Sequence, residues 1–500
     1  MTVPDPRLAG TGPGRGRFTA PHRGLRARTR DDRIRPMPVP VRAWLSLVLT
    51  LVLVAPSTAQ DAPGSLDIPV DNRKLDNGLK VVLSPDPTAP IATVAVYYNI
   101  GFRIEPRDRT GFAHLFEHMM FQGSKNLGKM EFIRLVQSNG GVLNGSTRFD
   151  YTNYFEIVPA HKLETMLWAE ADRMRGLAIT QENLTNQQEV VKNEVRVNVL
   201  NRPYGGFPWL DMPQIANKNW YNAHNFYGEL DDLDAATLED VQGFFDTYYA
   251  PNNAALVIVG DFEPEQAMTW VEEYFGDIPS AELPALPDLS EPRQEAEIRV
   301  QKTDSLANRP ALAFAYHVPA RNTPEWYAMG LLDLILLQGD DAMLHEALVR
   351  ERGMTGSVGG GINVGLGHML NYNGPMLWTA SLFHDSDTSA DAILSVVDSV
   401  IEGVRSAPLD EATLERARIK VRSRIYDATA SFFGFGRADL LASFALFDDD
   451  PGRINRLEAE FAKVTPELVQ ATAQEYLRLG NRSVLEILPG AAPAPTEAGR

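Results

Sequence analysis

The sequence predicts an α+β protein of two homologous mixed α/β halves joined by a linker. Three observations predict it. Strand-like and helix-like segments are interleaved along the chain; a polar stretch carrying Pro284, Pro287 and Pro292 interrupts them at Ala281 to Ala296; and Leu409 to Leu414, followed by a charged helix, echoes Ile179 to Glu194. Setting Ile179 on Leu409 places Leu184 on Leu414 and Glu194 on Arg424. That is the pattern of a duplication in which only the first copy keeps a carboxylate. With 500 residues, 44% of them hydrophobic, the chain can bury large cores, and its length implies two to four domains.

The elements follow in order. Asn77-Gly78 is a turn pair ahead of the apolar run ending at Leu83, and Ile91 to Tyr98 reads as a second strand. Gly111 to Gln122 has the length and apolar periodicity of a buried helix. Val142 to Ile157 alternates as strands do, and Lys162 to Arg175 is helical. A helix over Thr180 to Asn201 is capped by Thr180, stopped by Pro203 and striped by Leu184, Val191 and Val195. Ala254 to Gly260 is a buried strand. Beyond the linker, Ala311 to Tyr316 is a strand and Glu325 to Leu337 a helix. Gly353 to Gly367 holds seven glycines without the Lys-Ser/Thr of a phosphate loop, and reads as a flexible or closely packed loop near substrate.

Residues 1–59 form a leader. Arg42 precedes an apolar run from Trp44 to Ala55, and Ser57-Thr58-Ala59 offers small residues for cleavage, giving a new N-terminus at Gln60. Met37 begins a signal of ordinary length and is the expected true start. The run is short for a bilayer span, so an uncleaved anchor is the alternative. The expected organisation is leader 1–59, first half 60–280, linker 281–296, second half 297–490 and tail 491–500. Export places the protein in a periplasmic or extracellular compartment.

Formal charge is −18 overall, with ten Arg and three Asp in the leader, so the remainder stands near −25. Such an acidic body argues against nucleic-acid binding and against attachment to anionic lipid. The absence of Cys excludes disulfides, thiolate metal ligands and a Cys nucleophile. His and carboxylates are then the plausible transition-metal ligands.

They occur together. His114-Leu-Phe-Glu117-His118 is an H-x-x-E-H pattern on the helix that starts near Gly111. At about 100° per residue the two imidazoles share a face, with Glu117 flanking them. Neutral imidazoles four apart can reach one Zn²⁺ at about 2.0–2.1 Å, and the ion lowers the pKa of bound water to around 7. Glu117 is then free to act as general base and afterwards general acid. A catalytic zinc site normally has a third protein ligand. Glu194, 76 positions after His118 and beside the apolar stripe of its helix, is the candidate. A carboxylate at the edge of a buried face is costly unless paired or metal-bound. His161, His224, His317, His345 and His368 show no ligand spacing and read as structural.

Gly111-x-x-His114-x-x-Glu117-His118, then Asn144-Gly-Ser-Thr147-x-x-Asp150-x-Thr152-x-Tyr154, then Val190-Val191-x-x-Glu194 together resemble the M16 (pitrilysin-like, inverzincin) metallopeptidases over Leu66 to Leu488. The resemblance is to their metal-bearing subunits, of the kind found in mitochondrial processing peptidase. It implies a duplicated metallohydrolase fold, one Zn²⁺ held by His114, His118 and Glu194, and Glu117 as catalytic base. Asn144 and its strand are expected along the cleft, where an extended peptide adds through main-chain hydrogen bonds. Two features depart from the family pattern. An acidic residue often precedes the ligand Glu by seven; here it is Gln187, able to hydrogen-bond to a ligand but not to add charge. An Arg and a Tyr seven residues later, which hold substrate in single-chain members, are replaced by Val349 and Gly356.

The implied function is a zinc endopeptidase acting on extended or unfolded peptides, as the metal-bearing subunit of a heterodimer whose second M16-like subunit supplies the Arg and Tyr; a homodimer is the other arrangement. The alternative is a non-catalytic scaffold of the same fold, against which the intact ligand set argues.

Overall fold

A computed structural model describes residues 66–490. The leader read at residues 1–59, with its start at Met37 and its cleavage after Ala59, lies outside them, as does the tail 491–500.

The described chain forms two sheets. The strands of the first are β1 (Asp71–Lys74), β2 (Lys80–Pro85), β3 (Ile91–Tyr98), β4 (Val142–Thr147), β5 (Thr152–Pro159) and β6 (Ala254–Gly260), in the spatial order β1-β2-β6-β3-β5-β4. The second sheet comprises β7 (Ile298–Asp304), β8 (Ala311–His317), β9 (Thr355–Ile362), β10 (Leu377–His384) and β11 (Arg482–Pro489), ordered β7-β11-β8-β10-β9. Without β1 the two orders are the same. In each, one parallel pair (β2 with β6, β7 with β11) is followed by antiparallel neighbours. The echo between Ile179 and Leu409 therefore reflects a repeated topology.

The helices that matter for the site are α1 (Phe112–Met119), α2 (Leu163–Arg175), α3 (Gln181–Val195), α4 (Pro324–Leu336), α5 (Glu411–Ala430) and α6 (Phe435–Asp448). α1 follows β3 as α4 follows β8. Three expectations needed correction. α1 ends at Met119, short of Gln122, and the helix capped by Thr180 gives way after Val195 to a wider π-turn over Arg196–Leu200. The glycine-rich stretch is also no simple loop: Thr355–Ile362 is the edge strand β9, with Gly359, Gly360 and Gly361 paired to β10. A run with so few side chains carries no period-2 signal, which is why it reads as a loop. Ala281 to Ala296 contains neither helix nor strand.

Strand periodicity divides the first sheet between two cores. Val94, Val96 and Tyr98 of β3 and Leu256 and Ile258 of β6 pack with α1, α2 and α3. The alternate residues Ala95, Tyr97, Ala255, Val257 and Val259 face the other way. That face is covered by α6, which comes from the far side of the linker. Phe435 stacks on Phe155 with centroids 3.8 Å apart, and Tyr97 donates to Asp439 at 2.7 Å. Burial on both faces explains why β3 and β6 are continuous apolar runs.

A buried ion pair joins the same parts. Arg103, fully buried, places Nε 2.7 Å from Asp150, whose second oxygen accepts the Asn373 amide at 2.7 Å, and Arg103 Nη1 donates to the Pro375 carbonyl at 2.9 Å. Arg103→Met leaves Asp150 buried without its cation and is expected to lower the unfolding free energy by about 3–5 kcal/mol. Urea unfolding followed by tryptophan fluorescence checks this, and Arg103→Met with Asp150→Asn should recover part of the loss.

Candidate metal centre

α1 starts at Gly111, in the left-handed region at φ 82°, where a Cβ would lie 2.5 Å from the Tyr227 carbonyl oxygen. No side chain at Gly111 can cap it. Glu105 does so from outside, accepting from the Gly111 amide at 2.9 Å and from the Ala113 amide. A carboxylate there satisfies free N–H groups and complements the helix dipole. Glu105 is fully buried, and burial raises its pKa despite the opposing effects of His224 and the two amides. Phe116 anchors the helix by stacking on Phe244 and Tyr249.

This holds His114 and His118 one turn apart with Nε2 atoms 3.4 Å from each other. Oε2 of Glu194, on α3, lies 3.3 Å from His118 Nε2 and 3.7 Å from His114 Nε2. One ligand atom from each of the three lies within 4.8 Å of the others. Two ligands at 2.0–2.1 Å in a tetrahedral shell stand roughly 3.3–3.4 Å apart, so the spacing suits a zinc-sized ion. The donor chemistry suits it too. Burial lowers the pKa of His114, favouring the neutral imidazole a metal needs. For Glu194 burial acts upward, but the hydrogen bond to His118 and the imidazole charges outweigh it and leave the carboxyl below its usual range. Phe226 and Tyr227 lie against the His114 ring at 4.8 and 5.1 Å, backed by Trp209, and shield it from water. Burial and the Glu194 charge push the Tyr227 phenol up to about 12.

Glu117 stands outside this trio. Its Oε2 accepts from the Thr147 hydroxyl of β4 at 2.9 Å. Asn144 is exposed on the same strand, at the edge of the first sheet, and its Oδ1 accepts from the Gly145 amide. Gln187 is buried on α3, and among the described residues its side chain makes no hydrogen bond to Glu194. Val349 is half-buried and Gly356 exposed, with open space where a side chain would be. His224 packs between Trp220 and Phe102 and faces Glu105, and His368 pairs with Asp439, in keeping with structural roles.

Sequence reasoning missed four residues that complete the site. Thr147 lies inside a motif already singled out, and Asn198 follows Glu194 by four, the helical neighbour spacing. Glu105 and Tyr227 come from loops and carry no pattern that marks them.

Residues 80–203 match the family described as Insulinase (Peptidase family M16), and residues 235–421 match the Peptidase M16 inactive domain. The zinc protease PqqE of Helicobacter pylori is 25% identical over 410 residues, spanning 81% of this chain and 89% of the relative. The mitochondrial-processing peptidase subunit beta of Saccharomyces cerevisiae is 20% identical over 363 residues, spanning 70% of this chain and 77% of the relative. Among solved structures, a protease from Helicobacter pylori superposes with a TM-score of 0.77 at 23% identity, covering 84% of this chain and 100% of that one; at this identity the likeness speaks for the fold.

After dialysis against zinc, the purified chain is expected to retain about one ion. His118→Ala and Glu194→Ala should each release it, and Glu117→Gln should keep it, as read by plasma emission spectrometry. Glu105→Ala strands two buried N–H groups and should cost about 1–3 kcal/mol of stability, measured by urea unfolding.

Proposed function

Because the chain belongs to the M16 family of peptidases, we propose that it is a zinc-dependent endopeptidase for extended or unfolded polypeptides, with His114, His118 and Glu194 as ligands and Glu117 as general base. The observation that carries this reading is the convergence of His114, His118 and Glu194 within 4.8 Å, beside a carboxylate that takes no part in the cluster. Bound there, Zn²⁺ would act as a Lewis acid toward the scissile carbonyl and the attacking water.

The remaining steps belong to the chain's own groups. Thr147 holds Oε2 of Glu117, leaving Oε1 to take a proton from water and return it to the departing amine nitrogen. The outer edge of β4 has no strand beside it in the first sheet. An extended peptide added there would be aligned by main-chain hydrogen bonds, which are blind to side-chain identity, with Asn144 alongside. The aromatic wall of Phe226, Tyr227 and Trp209 keeps water from the His114 side. This describes a peptidase that reads backbone shape first.

The same reading makes the chain the metal-bearing partner of a second M16-like subunit. Val349 and Gly356, where single-chain members have Arg and Tyr, favour that version, and the yeast relative is itself named a subunit. The leader read at residues 1–59 favours action after export. A scaffold of the same fold would purify without stoichiometric zinc.

Mass-spectrometric cleavage of a mixed unstructured peptide set by residues 60–500 should give products that vanish with Glu117→Gln, a loss of about 10²–10⁴-fold. Zinc-loaded protein that cleaves nothing, alone or with a co-produced M16-like chain, sinks the proposal. Thr147→Val should lower kcat by roughly tenfold, part of that general-base contribution, with KM and zinc content little changed and with Thr147→Ser restoring most of the rate.

A further inference from the structure

A glutamate ligand has two oxygens and several rotatable bonds, so something must decide which oxygen it presents. Here Oε2 of Glu194 faces the imidazoles, and the side chain is 31% exposed, free to swing unless held. Gln187, two turns earlier on α3, makes no hydrogen bond to it. The contact comes from the other direction. Asn198 Nδ2 lies 3.4 Å from Glu194 Oε1.

The backbone explains how Asn198 arrives there. α3 stops at Val195, and the chain widens into the π-turn of Arg196–Leu200, closed by the Asn201 amide donating to the Arg196 carbonyl at 2.8 Å. Wide turns of this kind cluster at functional sites. Burial of the turn's own Val197 and Leu200 does not account for it, since they stand 56% and 61% exposed. Tyr227 closes the cluster. Its ring meets His114 edge-on with centroids 5.1 Å apart, and its carbonyl lies over Gly111 at the start of α1.

We propose that Asn198 clamps Glu194 so that it offers a single oxygen, Oε2, to the metal, and that this clamp, not Gln187, sets the zinc affinity of the chain. Asn198 is a positioning residue. The proposal rests on the zinc reading above, and affinity rather than turnover tests it.

Competition against a chromophoric zinc chelator is to be run on the purified chain and on Asn198→Leu, Asn198→Ala and Gln187→Ala. Thermal unfolding in excess chelator shows that each variant is folded. Both Asn198 variants should bind zinc about tenfold or more weakly than the parent, and Gln187→Ala within twofold of it. With Co²⁺ in place of zinc, Asn198→Leu should also change the visible absorption as Glu194 turns from one-oxygen to two-oxygen binding. Parent-like affinity in both Asn198 variants overturns the clamp, as does a loss confined to Gln187→Ala. Should one Asn198 variant fail to fold, the other decides. A parent that binds no zinc overturns the reading beneath the proposal, a separate result.

Discussion

The first half is organised by the need to keep two imidazoles and one carboxylate within 4.8 Å of each other at a partly buried site. Such groups resist being gathered. Each loses hydration, His114 most completely, and a partly desolvated carboxylate is costly unless it is paired or metal-bound. Backbone and aromatic packing must therefore hold them in place: Glu105 on the α1 amides, Phe116 between its stacked neighbours, and Phe226 and Tyr227 on His114. A dication in the cluster would repay the cost of assembling it.

The second half repeats the topology with opposite chemistry at the corresponding place. α4 follows β8 and packs on α5 as α1 follows β3 and packs on α3, and the sequence echo sets Arg424 on Glu194. Its guanidinium lies 3.9 Å from Asp333 and donates to Gln338 at 2.8 Å, while Asp333 accepts from Trp378 and Gln338. An arginine thus faces the carboxylate there, and among the described residues the metal-capable trio is that of the first half. Burial raises the Asp333 pKa, which further weakens any claim it has as a ligand.

The halves are not merely tethered. α6 covers the face of the first sheet that α1, α2 and α3 leave open, and Arg103, Asp150, Asn373 and Pro375 form one buried polar contact across the same boundary. Removing the second half would expose Ala95, Val257 and Val259 together with the Tyr97 hydroxyl. The sheet that positions β4, and through Thr147 the Glu117 carboxylate, depends on a helix more than 280 residues further along the chain.

What the sequence determined by itself was local: the helix of His114 and His118, the Thr180 cap, the strands Ile91–Tyr98 and Ala254–Gly260, and the repeated pattern beyond the linker. These depend on periodicity and capping, which act over a few residues and are written in residue types. Glu194 was legible because a family-specific spacing linked it to His118. Tertiary structure alone decided the rest. It made the glycine-rich stretch an edge strand, brought Glu105 to the start of α1, set Tyr227 against His114 and turned the chain after Val195 so that Asn198 meets Glu194. The physical reason is that these contacts join loops and termini whose conformations are set by what they pack against, so no short-range pattern in the residues records them.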